Sequence, residues 1–106
     1  MNIDSILDDC EGFQWDKGNT HKSWLKHQVA EGETEEVFFN ESLLLLEDKY
    51  HSVQENRFWA LGVTDQGRLL FITFTVRKNL IRVISAREMN KKERGIYEKF
   101  KTDTKI

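Results

Sequence analysis

The sequence predicts an α+β domain, an antiparallel sheet of about four strands with helices packed on one face. Three observations lead there. Between residues 58 and 86, short apolar stretches are separated by the turn-forming groups Asp65-Gln66-Gly67 and Lys78-Asn79, the pattern of a three-strand meander. Outside that region, residues 20–26, 33–39 and 91–100 have the charge placement or apolar spacing of helices. The 106 residues, 39% hydrophobic and 11% aromatic, suffice for one core and are too few for two. A single domain over residues 1–106 is therefore expected, with residues 1–12 and 102–106 as flexible ends.

The elements follow in order. Phe13-Gln14-Trp15 alternates as a short strand does, and Asp16-Lys17-Gly18-Asn19 reads as a turn. A short helix over residues 20–26 places Trp24 one turn in. A second helix over residues 33–39 buries Val37 and Phe38, with Glu33, Glu35 and Glu36 near the positive end of its dipole. Residues 43–46 form an apolar run too short for a helix and are expected as a strand. The polar stretch 47–56, broken only by Tyr50 and Val53, is expected as a loop. Strands over residues 58–64, 69–76 and 80–86 make the meander, Gly67 supplying the positive φ that closes the first hairpin. Asn90 with Glu93 three positions on is a capping-box signature, and the helix over residues 91–100 turns Ile96, Tyr97 and Phe100 to the core.

Composition excludes several functions. The lone Cys10 forbids an intramolecular disulfide and a multi-cysteine zinc site, which suits a reducing compartment. Apolar runs such as Leu43 to Leu46 are far too short to span a bilayer, and the acidic start is unlike a signal peptide, so a cytoplasmic protein without membrane contact is expected. His51, Ser52 and Glu55 evoke a hydrolase, but no G-x-S-x-G elbow accompanies them. Neither an H-E-x-x-H motif nor an Asp-rich loop is present, so no metal or cofactor is expected. Trp15 and Trp24 sit at periodic apolar positions and are expected in the core.

The formal charge of −2 conceals an asymmetry. Residues 1–56 carry 4 Lys/Arg against 13 Asp/Glu, and residues 57–106 carry 12 against 5. Such a chain either pairs its own charges or keeps a basic face for a polyanion. Strand parity puts Leu80, Arg82, Ile84 and Ala86 on one face and Ile81, Val83, Ser85 and Arg87 on the other. Arg82 interrupts an apolar row and must meet an acid or an anion. Arg57 and Arg77 begin and end two hairpin strands, which brings them to one end of the sheet. Lys22 and Lys26 lie one turn apart on the first helix, beside His27.

Phe13-x-Trp15-Asp16, Lys26-His27-x-Val29, Glu35-Glu36-Val37-Phe38 and Asn40 closely resemble the BrnT family, the toxin halves of type II toxin–antitoxin pairs. So do Asp48-x-x-His51-Ser52-x-x-Glu55-x-Arg57 with Gly62 beyond it, Arg68-Leu69-Leu70, the run Ile81 to Arg87, and Lys92-Glu93-Arg94-x-x-Tyr97-Glu98. The resemblance covers residues 13–98. It implies a RelE-like fold and a metal-independent endoribonuclease that inhibits translation through attack of an RNA 2′-hydroxyl on its own phosphodiester. It also implies neutralisation by a BrnA-type ribbon-helix-helix antitoxin, through which alone operator DNA is contacted. Carried over residue by residue, Lys26, His27, Arg57, Arg82 and Arg87 are the catalytic candidates, and Lys22, Arg77 and Arg94 the RNA-binding ones. Two positions depart from the pattern: Ser23 replaces the usual asparagine, and Gln28 the usual glycine, so glutamine must take a left-handed conformation or the helix must end differently. The alternative expectation is a catalytically weak interaction protein that mainly binds its antitoxin.

Overall fold

In a computed structural model that describes residues 3–103, the predicted α+β class holds and the sheet has five strands. They are β1 (Gly12–Phe13), β2 (Leu44–Asp48), β3 (Arg57–Val63), β4 (Leu69–Arg77) and β5 (Leu80–Glu88), in the order β1-β5-β4-β3-β2. β2 to β5 form an antiparallel meander, and β1 adds in parallel beside β5. The helices are α1 (Lys22–His27), α2 (Glu31–Phe39) and α3 (Lys91–Asp103), preceded by a 3₁₀ turn at Ile3–Ser5. Residues 1–2 and 104–106, parts of the expected flexible ends, lie outside the described residues. Within the first of those ends, Ile3, Ile6, Leu7 and Cys10 pack against the sheet.

The turns obey the local chemistry. Lys78 and Asn79 both take positive φ, 51° and 64°, the two-residue turn whose twist matches a hairpin. Gly67 has φ 88° and donates its N–H to the Thr64 carbonyl, closing the other hairpin. Gln28 takes φ 53° and ψ 39°, so α1 does end in the left-handed conformation at a residue with a Cβ. Ser23 accepts the Ala86 N–H on its Oγ at 2.8 Å, which fixes α1 to the β5 edge.

Helices cover both faces, whereas one face was expected. Val37 of α2 and Val29 pack with Leu45, Phe58, Ala60, Leu70, Ile72 and Phe74. Alternation sends the intervening residues to the opposite face, where Leu61, Met89 and Tyr97 are buried with Trp59, Leu69, Phe71 and Phe100 around them. α3 therefore lies across the sheet from α2. Gly62 permits the first contact, since a Cβ there would stand 2.7 Å from Cγ1 of Val37.

Three expectations about side-chain placement change. Trp24 is exposed, because α1 runs along the sheet edge rather than over a face. Ile96 is also partly exposed, at the mouth of a cleft. Arg82 and Arg87 do not face opposite ways. Thr75 pairs with Arg82 and Phe71 with Arg87, and a bulge between them adds one residue on β5. Thr75 and Phe71 are four apart on β4 and share a face, so the bulge brings both arginines to the α3 side.

Candidate functional site

On that face, a cleft of about 500 Å³ is lined by the sheet and by the start of α3. Its floor is apolar, built from Trp59, Leu61, Phe71 and Ile84. Its walls are polar, with Asp48, His51 and Arg57 on one side and Arg87, Lys92 and Glu93 on the other. Trp59 and Phe71 are neighbours there, ring centroids 5.6 Å apart and planes inclined at 46°, so the floor presents aromatic rings of the kind on which nucleobases stack.

The Arg57 wall is ordered by the β2–β3 connection. Asp48 and Arg57 are cross-strand partners at the ends of β2 and β3. Ser52 ties the loop between them, donating its hydroxyl to the Asp48 carbonyl at 2.6 Å and accepting the Arg57 N–H at 3.0 Å. Nearly buried, the Asp48 carboxylate accepts His51 Nδ1 at 2.9 Å, while the imidazole remains two-thirds exposed. Asp48, His51 and Arg57 thus meet at one rigid corner. Sequence reading set His51 aside because no scaffold for it was visible in a polar loop; the signal was the Asp48-x-x-His51-Ser52 spacing, which places the acid on the strand end and the staple beside the histidine.

Arg57 differs from the other arginines. Its guanidinium has no hydrogen bond or ion pair among the described residues, although its charge reaches Glu55. Arg87 also lines the cleft but is bound bidentately by Glu93, both distances 2.8 Å, and lies 4.5 Å over the Phe71 ring. Burial pushes the Glu93 carboxyl up, but the Arg87 guanidinium and the Asn90 N–H together outweigh it and leave the pKa lowered. Lys92 has no partner among the described residues.

The remaining candidates do not line the cleft. Arg82 turns toward the β1 side and pairs with Asp16 at 2.7 and 3.0 Å, so its place in an apolar row is explained by an acid 66 residues away. That hydrogen bond, with one from the Gly18 N–H, lowers the Asp16 pKa. Arg77 forms a bidentate pair with Glu55, both bonds 2.8 Å, which lowers the Glu55 pKa. Lys22, Lys26 and His27 are exposed on α1 at the β5 edge. Arg94 donates to the Met89 carbonyl at 2.9 Å beneath α3.

Among the described residues no group of three or more His, Cys, Asp or Glu side chains is placed to hold a metal ion, and no helix is long and apolar enough to cross a membrane. No curated protein matches the chain. A family model does match, over residues 15–93, and that family is described as the ribonuclease toxin, BrnT, of type II toxin–antitoxin systems. The match takes in both walls of the cleft as far as Glu93, and the chain belongs to the BrnT family of ribonuclease toxins.

Proposed function

We propose that the cleft on the α3 face is the RNA site of a metal-independent endoribonuclease, and that Arg57, Arg87 and Lys92 hold the scissile phosphate over the aromatic floor. The observation that carries this reading is the unpaired Arg57 guanidinium beside His51 in a cleft of nucleotide size. A phosphodiester gains negative charge as it becomes pentacoordinate, and fixed cations in a partly enclosed site stabilise that charge most where they need not first leave an acid. Arg82 and Arg77 enter as groups that hold the Asp16 and Glu55 segments in place beside the cleft. Lys22, Lys26, His27 and Arg94 enter as contacts to RNA outside the cleft. In the cell such cleavage inhibits translation in the cytoplasm, and a BrnA-type ribbon-helix-helix antitoxin neutralises the chain and alone contacts operator DNA.

The test is cleavage of a fluorescent single-stranded RNA by the purified chain with a chelator present. Wild type should cut under those conditions, and Arg57→Ala should cut about 10²- to 10³-fold more slowly, the usual loss when one donor to a developing oxyanion is removed. Undiminished cleavage by Arg57→Ala would place the RNA site elsewhere.

A second reading has its own observation. Arg77, Arg82 and Arg87 are all satisfied by acids of the same chain. A protein whose cations are so occupied binds a partner without needing to cleave RNA. Failure of the isolated chain to cut RNA or arrest translation would favour it.

A further inference from the structure

We infer that His51 is the general base of the reaction, held in its basic tautomer by Asp48; this rests on the reading of the cleft as the RNA site. The Asp48 carboxylate accepts hydrogen bonds and cannot donate one, so the contacts of its two oxygens with Nδ1, at 3.1 and 2.9 Å, place the ring proton on Nδ1. Nε2 is then the nitrogen with a free lone pair. Asp48 is 3% exposed and His51 66% exposed, so the acid is fixed within the protein while the imidazole stands in the cleft that Arg57 also lines. A histidine turned by a carboxylate in this way is both oriented and stabilised when it takes up a proton.

The staple at Ser52 gives the arrangement its rigidity. One hydroxyl joins the last residue of β2 to the first of β3, so the loop that carries His51 cannot drift from the strand ends. The residues that carry the proton-accepting nitrogen and the unpaired guanidinium are thereby kept on the same strand ends, both lining the cleft, as a base beside a phosphate requires.

The 2′-hydroxyl proton passes to Nε2 as the 2′-oxygen bonds to phosphorus. The P–O5′ bond breaks, its electron pair leaves with the 5′-oxygen, and that oxygen takes a proton from water. The products are a 2′,3′-cyclic phosphate and a 5′-hydroxyl, and the imidazolium returns its proton to solvent. Asp48 touches no reacting atom and acts as a positioning residue.

The experiment compares single-turnover cleavage of one fluorescent RNA by wild type, His51→Ala, Asp48→Asn and Arg57→Ala, with RNA affinity and thermal unfolding measured for each. His51→Ala should lose about 10²- to 10⁴-fold in rate, the usual contribution of a positioned base, with RNA affinity and unfolding unchanged. Added imidazole should restore part of the loss in that variant and none in Arg57→Ala. Asp48→Asn should lower the maximal rate without lowering affinity. A His51→Ala rate within threefold of wild type, or a loss that imidazole leaves untouched in a folded, RNA-binding variant, overturns the assignment of the base. Undiminished cleavage by Arg57→Ala overturns the site itself, a separate result.

Discussion

Glu93 serves two purposes at the edge of the cleft. As the third helical residue of α3 it accepts the Asn90 N–H at 2.9 Å while Asn90 accepts the Glu93 N–H at 2.8 Å, the reciprocal cap expected from the sequence. The same carboxylate neutralises Arg87, which sequence reading could not foresee because the helix start and the strand end are brought together only by the fold. Its pKa is lowered in the folded state, as are those of Glu33, chiefly by the Ala30 N–H, and Glu55, chiefly by Arg77, so the bonds to their charged forms stabilise the protein fully above the ordinary glutamate value of 4.5. That stability is lost as pH falls from 4.5 through the lower folded values. Urea unfolding measured against pH should be level near neutrality and fall steeply below that point. In Glu93→Gln, whose amide can still cap α3, the fall should be shallower and the loss at neutral pH at most about 1 kcal/mol. An acid limb unchanged from wild type would show that this pair contributes nothing to it.

At the scale of elements, α1 and β5 carry the departures from simple periodicity. α1 has six residues and none buried, so its position depends on its ends: Ser23 on the Ala86 amide, and Arg68, which donates to the Gln28 and His27 carbonyls at 2.8 and 3.3 Å while pairing with Glu33 of α2. Gln28 holds a left-handed conformation that costs an L-residue about 1–2 kcal/mol, part of which a glycine would return as greater freedom in the unfolded chain. Gln28→Gly should therefore raise stability by about 0.5–1 kcal/mol, read as a higher unfolding midpoint in urea. A lower midpoint would mean that the glutamine side chain makes a compensating contact. In β5, strict alternation assigns Arg82 and Arg87 to opposite faces. The bulge reverses that, and no residue type in Val83-Ile84-Ser85 announces it, because the extra residue is set by how β4 and β5 meet across the sheet.

The whole molecule resolves the charge asymmetry of its sequence. Asp16 with Arg82, Glu33 with Arg68 and Glu55 with Arg77 each join the acidic half to the basic half. What is left in the cleft is Arg57 and Lys92, with Arg87 shared with Glu93. A short RNA confined to the cleft, and so held by about three cations without Lys22, Lys26 or Arg94, should show a log–log dependence of affinity on salt with a slope of about −2. Anisotropy titrations across a salt series measure it, and a slope far steeper would mean that RNA displaces the internal acids and recruits the paired arginines. The sequence by itself determined the α+β class, the meander and its turns, the cap of α3 and, through ordered motifs over residues 13–98, the family, because these depend on local conformational preference and on spacing along the chain. Only the tertiary structure decided which of its cations are free. An ion pair forms or fails over a few ångströms between groups as much as 66 residues apart, and the same folding that seats Arg82 on Asp16 and Arg87 on Glu93 leaves Arg57 open beside the Asp48-held His51.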